Sequence, residues 1–322
     1  MRFIVYGAGA VGGVVGARLA EAGHEVVLIA RGPHLDAIRR RGLTVRSPGR
    51  EVSVDVPAAA DPADVGVAPG DVVLLAMKGN DTAAALDALT VAAADPEAFA
   101  VVCLQNGVAN ERAALRRFPN VYGVSVMCPT AHLEPGLVEA FSGPIEGVLD
   151  IGRYPTGVDA TAESVAAALS AATFVSEPRP DIMAWKHAKL LLNLANAVDA
   201  AVAWDDDARH VVELARAEGE TCLAAAGIDV VPAPEERARR DGLIDTKSLD
   251  PAERPGGSSW QSLARGTGSV EVDYLNGEIV LLGRLHGVAT PVNELLQRVA
   301  KEMAAHRSPP RSRSASELLA RL

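Results

Sequence analysis

The stretch at residues 7–12, Gly-Ala-Gly-Ala-Val-Gly, constrains the fold more than any other part of the 322-residue chain. It follows an apolar run at residues 3–6 and opens a helix-like stretch at 11–22. In such a unit the first glycine permits a tight turn, the second admits a pyrophosphate, and the third lets the helix pack on the strand. A turn needed only for packing is the alternative. The N–H groups at a helix N-terminus favour phosphates, which predicts a dinucleotide site at Gly7, Ala8, Gly9, Ala10, Val11 and Gly12.

The end of the second apolar run, residues 25–30, indicates which dinucleotide binds. An NAD site usually carries an acidic residue there, about 20 residues after the turn, to bind the ribose hydroxyls. This chain has Arg31 instead. A permanently charged guanidinium suits a 2′-phosphate. The sequence therefore predicts NADP(H) rather than NAD(H), with a solvated loop arginine as the alternative.

Further apolar runs at residues 71–77 and 99–104 alternate with Ala-rich, helix-like stretches. Continuous apolar strands that alternate with helices are typical of a parallel sheet buried on both faces. Right-handed crossovers make such a sheet doubly wound. We therefore predict an α/β fold with an N-terminal Rossmann-type sheet. Apolar–polar alternation at 43–56 and β-like runs at 121–151 predict more peripheral strands.

The pattern changes after about residue 180, where β-runs disappear and helix-like stretches follow at 182–202, 208–226, 270–286 and 292–306. We predict an NADP-binding domain at 1–179, an all-helical substrate and catalytic domain at 180–306, and a mobile basic tail at 307–322. The apolar helices of the second domain suit a homodimer interface and an ordinary core equally well.

Composition excludes several classes of protein. The net charge of −10 disfavours nucleic acid as a partner, even for the arginines of the last segment. No apolar stretch reaches the roughly 18 residues of a membrane span. Three cysteines at long spacings fit neither a disulfide framework nor a metal site. No signal-peptide pattern is visible, so the expected compartment is the reducing cytoplasm.

One predicted helix of the second domain carries an unusual polar stripe. At about 100° per residue, Lys189, Asn193 and Asn196 share one face of an otherwise apolar helix. One cation and two amides are costly to bury without purpose, and a lysine so placed can have a lowered pKa and act as a general acid. Lys186 and His187 are competitors, but neither has an asparagine four residues on. A solvated stripe is the alternative.

From residue 1 to about 300 the chain resembles the ketopantoate reductase (2-dehydropantoate 2-reductase) family. The motifs that carry the resemblance are, in order, the opening glycine turn with Arg31, Met77-Lys78, Gln105-Asn106-Gly107, the Lys189 helix, and Ser258-Ser259 leading to the Glu271–Gly277 motif Glu-Val-Asp-Tyr-Leu-Asn-Gly. The resemblance implies NADPH-dependent reduction of a 2-oxo acid to a 2-hydroxy acid in a cleft between the domains. The leading substrate is ketopantoate, in pantothenate biosynthesis.

The resemblance also implies roles for residues at strand and helix ends. Lys78 would lie against the cofactor, and Asn106 would lie by the nicotinamide ribose and the substrate. Lys189 would donate the proton, Glu271 would orient it near that ribose, and Ser259 would bind the substrate carboxylate. The residues alone leave other interpretations open: a solvated lysine, an Asn-Gly turn, an acid that compensates a helix dipole, and a capping serine.

In the expected reaction, hydride attacks the ketone carbon while Lys189 donates a proton to the developing alkoxide. Asn106, Asn193 and Asn196 would position the substrate. Two positions depart from the family pattern. The second helix asparagine is expected at Ala197 but stands at Asn196, and a polar residue is expected at Gly256.

These departures leave two alternatives open. The chain could reduce another 2-oxo acid by the same mechanism, or it could be a non-catalytic NADP(H)-sensing protein. We expect Gly256→Asn to raise ketopantoate activity if Gly256 only weakens a shared site. NADPH binding without turnover would indicate the sensing protein.

Overall fold

The computed structural model describes residues 1–246, 249 and 256–322. Within these residues, no helix combines the length and apolarity needed to cross a membrane. In the same part of the chain, no group of three or more His, Cys, Asp or Glu side chains could hold a metal ion.

The strands are β1 (Arg2–Tyr6), β2 (Glu25–Ile29), β3 (Leu43–Ser47), β4 (Arg50–Val54), β5 (Ala58–Ala59), β6 (Val72–Leu75), β7 (Ala100–Cys103), β8 (Val121–Met127), β9 (Thr130–Ala131), β10 (Leu137–Ala140), β11 (Gly147–Arg153) and β12 (Phe174–Val175). The α-helices are α1 (Ala10–Glu21), α2 (Gly32–Arg41), α3 (Pro62–Val65), α4 (Gly79–Ala92), α5 (Asn110–Leu115), α6 (Ala160–Ala171), α7 (Ile182–Asn193), α8 (Ala195–Ala201), α9 (Asp206–Ala225), α10 (Ala233–Arg240), α11 (Ser258–Ala264), α12 (Asn276–His286), α13 (Pro291–Ala305) and α14 (Ala315–Leu319). One 3₁₀ helix, Val272–Tyr274, precedes α12.

The chain divides into two compact units, and neither is one continuous stretch. The sheet unit holds Met1–Lys186 and the segment that begins at Ala233. The helical unit holds His187–Pro232 and the segment that ends at Leu322. This division differs from the single boundary near residue 180 that the sequence predicts.

The main sheet has the strand order β12-β11-β8-β7-β6-β1-β2-β5. All its neighbouring strands run parallel except β11, which is antiparallel to β8. Since β1 lies between β2 and β6, the strand order reverses there. The carboxyl end of β1 is therefore the switch point at which open α/β sheets bind ligands.

The central strands are buried on both faces. Phe3 and Val5 of β1 pack in one hydrophobic cluster, whereas Ile4 packs in another on the opposite face. This alternation follows from the two-residue period of a strand. The Rossmann-type α/β fold predicted from the continuous apolar runs is confirmed.

A second, four-stranded sheet has the order β4-β3-β10-β9. In it β3 runs parallel to β10, with Val45 opposite Val138. The alternation at residues 43–56 therefore does mark strands outside the main sheet. The longer strands β8 and β11 lie in the main sheet instead, because six consecutive residues of each are buried.

Helix α10 belongs to the sheet unit although it comes after α9 in the chain. Arg239 of α10 donates to both carboxylate oxygens of Asp150 on β11, at 2.6 and 2.7 Å. Asp150 is buried, and Arg179 lies 3.4 Å from the same carboxylate. A bidentate arginine–carboxylate pair is among the stronger charged contacts, so this pair anchors α10 on the sheet unit.

The segment after α13 is packed against the helical unit rather than loose. The backbone N–H groups of Arg311 and Arg313 donate to Ala200 O and Ala201 O at 2.8 and 2.9 Å. Ala315 and Leu318 of α14 are buried. This arrangement differs from the mobile basic tail that the sequence predicts, because backbone hydrogen bonds and apolar anchors hold a segment whose composition looks polar.

Candidate active site

The glycine turn follows β1 at the switch point of the main sheet. Gly7 has φ of +107°, and a Cβ built there would lie 2.7 Å from Met77 N. A Cβ on Gly12 would overlap Gly7 O. A Cβ on Gly9, by contrast, meets no described atom within 4 Å. Gly7 and Gly12 therefore serve close packing, while Gly9 leaves open space that a pyrophosphate can enter.

The backbone donors of the turn divide into two sets. Gly7 N and Ala8 N donate to Ile29 O at 3.0 and 3.1 Å, which ties the turn to the end of β2. Helix α1 begins at Ala10, and the first N–H groups of an α-helix have no intrahelical acceptor. Of the six predicted residues, the later ones, up to Gly12, therefore supply the N–H groups suited to phosphates.

His34 connects this turn to a distant loop, which sequence reasoning missed. Gly136 N donates to His34 Nδ1 at 2.9 Å, so the ring proton lies on Nε2. His34 Nε2 in turn lies 2.6 Å from Ala8 O. The imidazole on α2 thus links the glycine turn to the loop at Gly136. Its place three residues after Arg31 is the only sequence signal.

Arg31 lies beyond the end of β2 and is the N-cap residue of α2. Its Nη2 lies 3.5 Å from Oδ2 of Asp81, in the first turn of α4. Both side chains are largely exposed. The cation predicted for a 2′-phosphate therefore stands beside a carboxylate that sequence reasoning did not connect to it.

Lys78 and Asn106 follow β6 and β7 at the carboxyl edge of the sheet, as the motifs predict. A buried hydrogen-bond chain joins their loops. Gln105 Nε2 donates to Met77 O at 2.8 Å and to Thr82 Oγ1 at 2.9 Å. Asn110, which accepts from Thr82 at 2.9 Å, donates to Asn106 O at 3.2 Å. These contacts hold the Lys78 and Asn106 loops in one arrangement.

The two lysines of α7 have different surroundings. Lys186 is buried; its Nζ donates to Gln105 O at 2.8 Å and Val124 O at 3.0 Å, and it forms an ion pair with Glu111 Oε1 at 2.9 Å. Two backbone hydrogen bonds and a buried counter-ion therefore hold this ammonium in place. Lys186 is therefore a structural lysine. Lys189, one turn later, is half-buried.

The Lys186 and Glu111 charges also act on the thiol of Cys103. Burial raises the pKa of that thiol well above its usual range, Glu111 raises it further, and Lys186 lowers it. The thiolate, not the thiol, is the reactive form. Cys103 is therefore an inert core residue.

The predicted polar stripe lies on two helices rather than one. Lys189 and Asn193 are on α7, which ends at Asn193, whereas Asn196 is on α8. Between them, Leu194 O accepts a hydrogen bond from Asn276 Nδ2 at 3.3 Å. Side chains that enter the hydrogen-bond ladder of a helix are one source of such interruptions, and Leu194 itself keeps helical angles, with φ of −58° and ψ of −27°. Asn193 is buried and Asn196 is half-buried.

A buried amide network extends from this break. Asn276 Nδ2 also donates to Asn293 Oδ1 at 3.0 Å, and Asn293 Nδ2 donates to Ala215 O and Glu218 Oε2 at 2.9 and 2.8 Å. The Asn276 and Asn293 side chains are fully buried. Asn276 stands five residues after Glu271 in the motif recognised from sequence, but its role as the partner of Leu194 O had no local signal.

Ser259 is buried in the first turn of α11, which packs against α8. The preceding glycines lie close to that helix. A Cβ on Gly257 would be 2.9 Å from Asn196 Oδ1, and one on Gly256 would overlap the Trp260 ring and lie 2.6 Å from Asp199 Oδ2. The contacts of Gly256 argue against the expectation that Gly256→Asn simply restores a polar contact.

Glu271 is buried and directly precedes the 3₁₀ turn Val272–Tyr274, five residues before α12. The helix dipole acts within about one turn of a helix end. Compensation of the α12 dipole therefore does not explain this acid. Glu271 is instead the N-cap residue of the 3₁₀ turn, which lies between it and α12.

A doubly wound sheet with an open glycine turn at its switch point is typical of enzymes that bind a dinucleotide. The chain belongs to the ketopantoate reductase family PanE/ApbA. Its family model matches residues 3–156, and the model of the family's C-terminal region matches residues 181–304.

Curated relatives are similar over nearly their whole length. A 2-dehydropantoate 2-reductase of Pyrococcus horikoshii is 28% identical over 94% of this chain and 97% of its own. One of Archaeoglobus fulgidus is 30% identical over 93% and 97%. The chain thus covers nearly the full length of both reductases.

Solved structures of a family member and of a related dehydrogenase also match this chain. The PanE/ApbA family ketopantoate reductase of Ralstonia eutropha JMP134 matches with a TM-score of 0.79 and 30% identity, over 95% of this chain and 99% of that one. A D-mandelate dehydrogenase with NADH and anilino(oxo)acetate matches with a TM-score of 0.81 and 25% identity, over the same shares. The second of these neighbours holds NADH together with an oxo acid ligand.

Proposed function

We propose that this chain reduces a 2-oxo acid to a 2-hydroxy acid with NADPH, and that ketopantoate is its leading substrate. The observation that carries the proposal is the difference between the two lysines of α7. Lys186 is buried, donates to two backbone carbonyls and is paired in charge with Glu111. Lys189 is then the lysine of that helix for proton transfer, one turn from Asn193.

The chain's own residues account for binding of the cofactor. The open space at Gly9 fits the close approach of a pyrophosphate, and the N-terminus of α1 favours its charge. Arg31 offers a guanidinium to a 2′-phosphate. Lys78 and Asn106, held by the Gln105 hydrogen-bond chain, complete the cofactor side of the site. The bound nicotinamide supplies the hydride.

The residues of the helical unit act on the substrate. Lys189 donates a proton from Nζ to the ketone oxygen as the carbonyl carbon is reduced, and its charge stabilises the developing alkoxide beforehand. Asn193 and Asn196 position the substrate, and Ser259 binds its carboxylate. Glu271 orients Lys189 and keeps its ammonium charged until the proton is transferred.

A second candidate is the same reaction on another 2-oxo acid. The neighbour with D-mandelate dehydrogenase activity supports it, since that structure holds an aryl-substituted oxo acetate. The departures at Ala197 and Gly256 support it as well, because both positions border the Asn196 and Ser259 region. A binding protein that senses NADP(H) without turnover is the remaining alternative.

The test is NADPH oxidation, followed by absorbance, with ketopantoate and a panel of other 2-oxo acids. Lys189→Ala should lose turnover by about 10²- to 10⁴-fold, the usual contribution of a general acid. Lys301→Ala is the control, because Lys301 lies on the exposed side of α13. Turnover of another acid would replace the substrate and keep the mechanism. NADPH binding without turnover of any acid would favour the sensing protein.

A further inference from the structure

The Arg31–Asp81 pair lies at the place where an adenosine ribose is expected. Arg31 follows β2, and Asp81 follows β6 in the first turn of α4. These two strands flank β1, so the pair faces across the carboxyl end of the strand that carries the glycine turn. Arg31 Nη2 and Asp81 Oδ2 are 3.5 Å apart.

The two side chains favour different cofactors. A guanidinium attracts a 2′-phosphate, whereas a carboxylate accepts hydrogen bonds from the ribose hydroxyls and repels a phosphate. A typical NAD site carries that acid at the end of the second strand. Here the second strand carries the cation, and the acid comes from α4, which follows β6, four strands after β2 in sequence order.

Asp61 adds a second negative charge near Tyr6, where Arg31 and Asp81 also act. Burial raises the pKa of the Tyr6 phenol at the end of β1, Asp61 and Asp81 raise it further, and Arg31 lowers it. Two carboxylates and one guanidinium therefore act on the same point. A 2′-phosphate would add nearly two more negative charges beside them.

We propose that Asp81 is a specificity-determining residue that opposes Arg31, so that the site accepts NADH as well as NADPH. This inference rests on the proposed function, because it concerns the cofactor of the same site. It does not depend on which oxo acid is reduced.

The test is equilibrium titration of the whole protein with NADPH and with NADH, without oxo acid, followed calorimetrically at low salt. Wild-type protein should bind both cofactors. Asp81→Asn should tighten NADPH binding about tenfold, since each added phosphate charge near a carboxylate in water is worth a few-fold in affinity. It should weaken NADH binding by a few-fold, because an amide accepts the hydroxyl bonds less strongly than a carboxylate.

Three further variants separate this role from a general effect. Asp87→Asn makes the same charge change on the same helix, beside Arg117, and should leave both dissociation constants unchanged. Asp81→Glu keeps the charge and should keep the wild-type preference. Arg31→Gln should shift the preference toward NADH. The gain of Asp81→Asn should shrink at high salt, which screens exposed charges.

The outcomes are distinct. If the wild-type protein binds both cofactors and Asp81→Asn changes their ratio no more than Asp87→Asn does, the inference is wrong and the proposed function stands. If the wild-type protein binds NADPH only, the inference is also wrong. If it binds neither cofactor, the proposed function itself fails.

Discussion

The ammonium of Lys186 lies 2.9 Å from the carboxylate of Glu111, and both side chains are excluded from water. The same ammonium donates to the backbone carbonyls of Gln105 and Val124. One cation thus joins α7, α5, the loop after β7 and strand β8. Such a pair costs desolvation energy, which the two extra hydrogen bonds help to offset.

Removing only one of Lys186 and Glu111 should lower the stability of the protein more than removing both. Lys186→Met leaves the Glu111 charge buried and should destabilise the sheet unit by about 3–5 kcal/mol. The double variant Lys186→Met/Glu111→Leu should be clearly more stable than the sum of the single effects predicts. Thermal and urea unfolding of the wild type, Lys186→Met, Glu111→Leu and the double variant measure this coupling. Additive effects would show that the two charges do not interact.

Gly256→Asn should destabilise the helical unit rather than improve ketopantoate turnover. The new Cβ would overlap Trp260 and approach the carboxylate of Asp199, which already accepts from Gly257 N at 2.7 Å. Overpacking of this kind costs about 1–3 kcal/mol. Gly266→Asn is the comparison, because no described atom lies near its Cβ position and asparagine tolerates the left-handed φ of +60° there better than most side chains do. A Gly256→Asn protein of normal melting temperature and raised ketopantoate kcat/KM would contradict this prediction.

Asn276→Leu should affect the substrate side more than the cofactor side. It leaves Leu194 O and Asn293 Oδ1 without their donor, at a cost of about 1–3 kcal/mol for each buried group. The break between α7 and α8 should then move, and with it Asn193 and Asn196. We expect a raised KM for the oxo acid with little change in the dissociation constant of NADPH. Equal losses in both quantities would indicate general unfolding instead.

Asp159 should contribute stability that depends on pH. Burial alone would raise its pKa, but the N–H of Ala162, the guanidinium of Arg153 and the hydroxyl of Tyr122 outweigh it and hold the pKa below the usual 3.8. A carboxylate with a depressed folded pKa stabilises above its unfolded pKa, and the contribution disappears as pH falls through the folded pKa.

Asp159→Asn should therefore lower stability at pH 7 and have progressively less effect as the pH falls below the usual 3.8. Asparagine is itself a good N-cap, so the substitution removes mainly the charge. About 0.5–1 kcal/mol is expected for this partly exposed pair. Asp205→Asn, at the N-cap of α9, is the comparison. A difference that grew on acidification would contradict the assigned sign.

The parts of the fold with a local signal could be predicted. Continuous apolar runs mark β1, β2, β6 and β7, and the glycine turn marks their switch point. The partners of the remaining elements could not be predicted. Strand β3 pairs with β10 about 90 residues away, and hydrophobic periodicity records burial without naming a partner.

The candidate site shows the same division. Lys189 and Asn193 lie four residues apart on one helix, so the helical period predicts that they share a face. Asn196 lies beyond the end of α7, next to Leu194, whose carbonyl oxygen accepts from Asn276, 82 residues away. Asp81 meets Arg31 because a single strand, β1, lies between β6 and β2 in the sheet. The charge balance at such a point depends on topology, which residue spacing does not encode.

The return of α10 to the sheet unit has a practical consequence for anyone who divides the gene. A fragment ending at residue 179, the boundary that composition suggests, would lack Arg239. It would present the Asp150 carboxylate, only 1% exposed in the whole chain, without its bidentate partner. A nucleotide-binding module for expression, fusion or domain exchange should therefore carry both of its chain segments, joined by a designed linker.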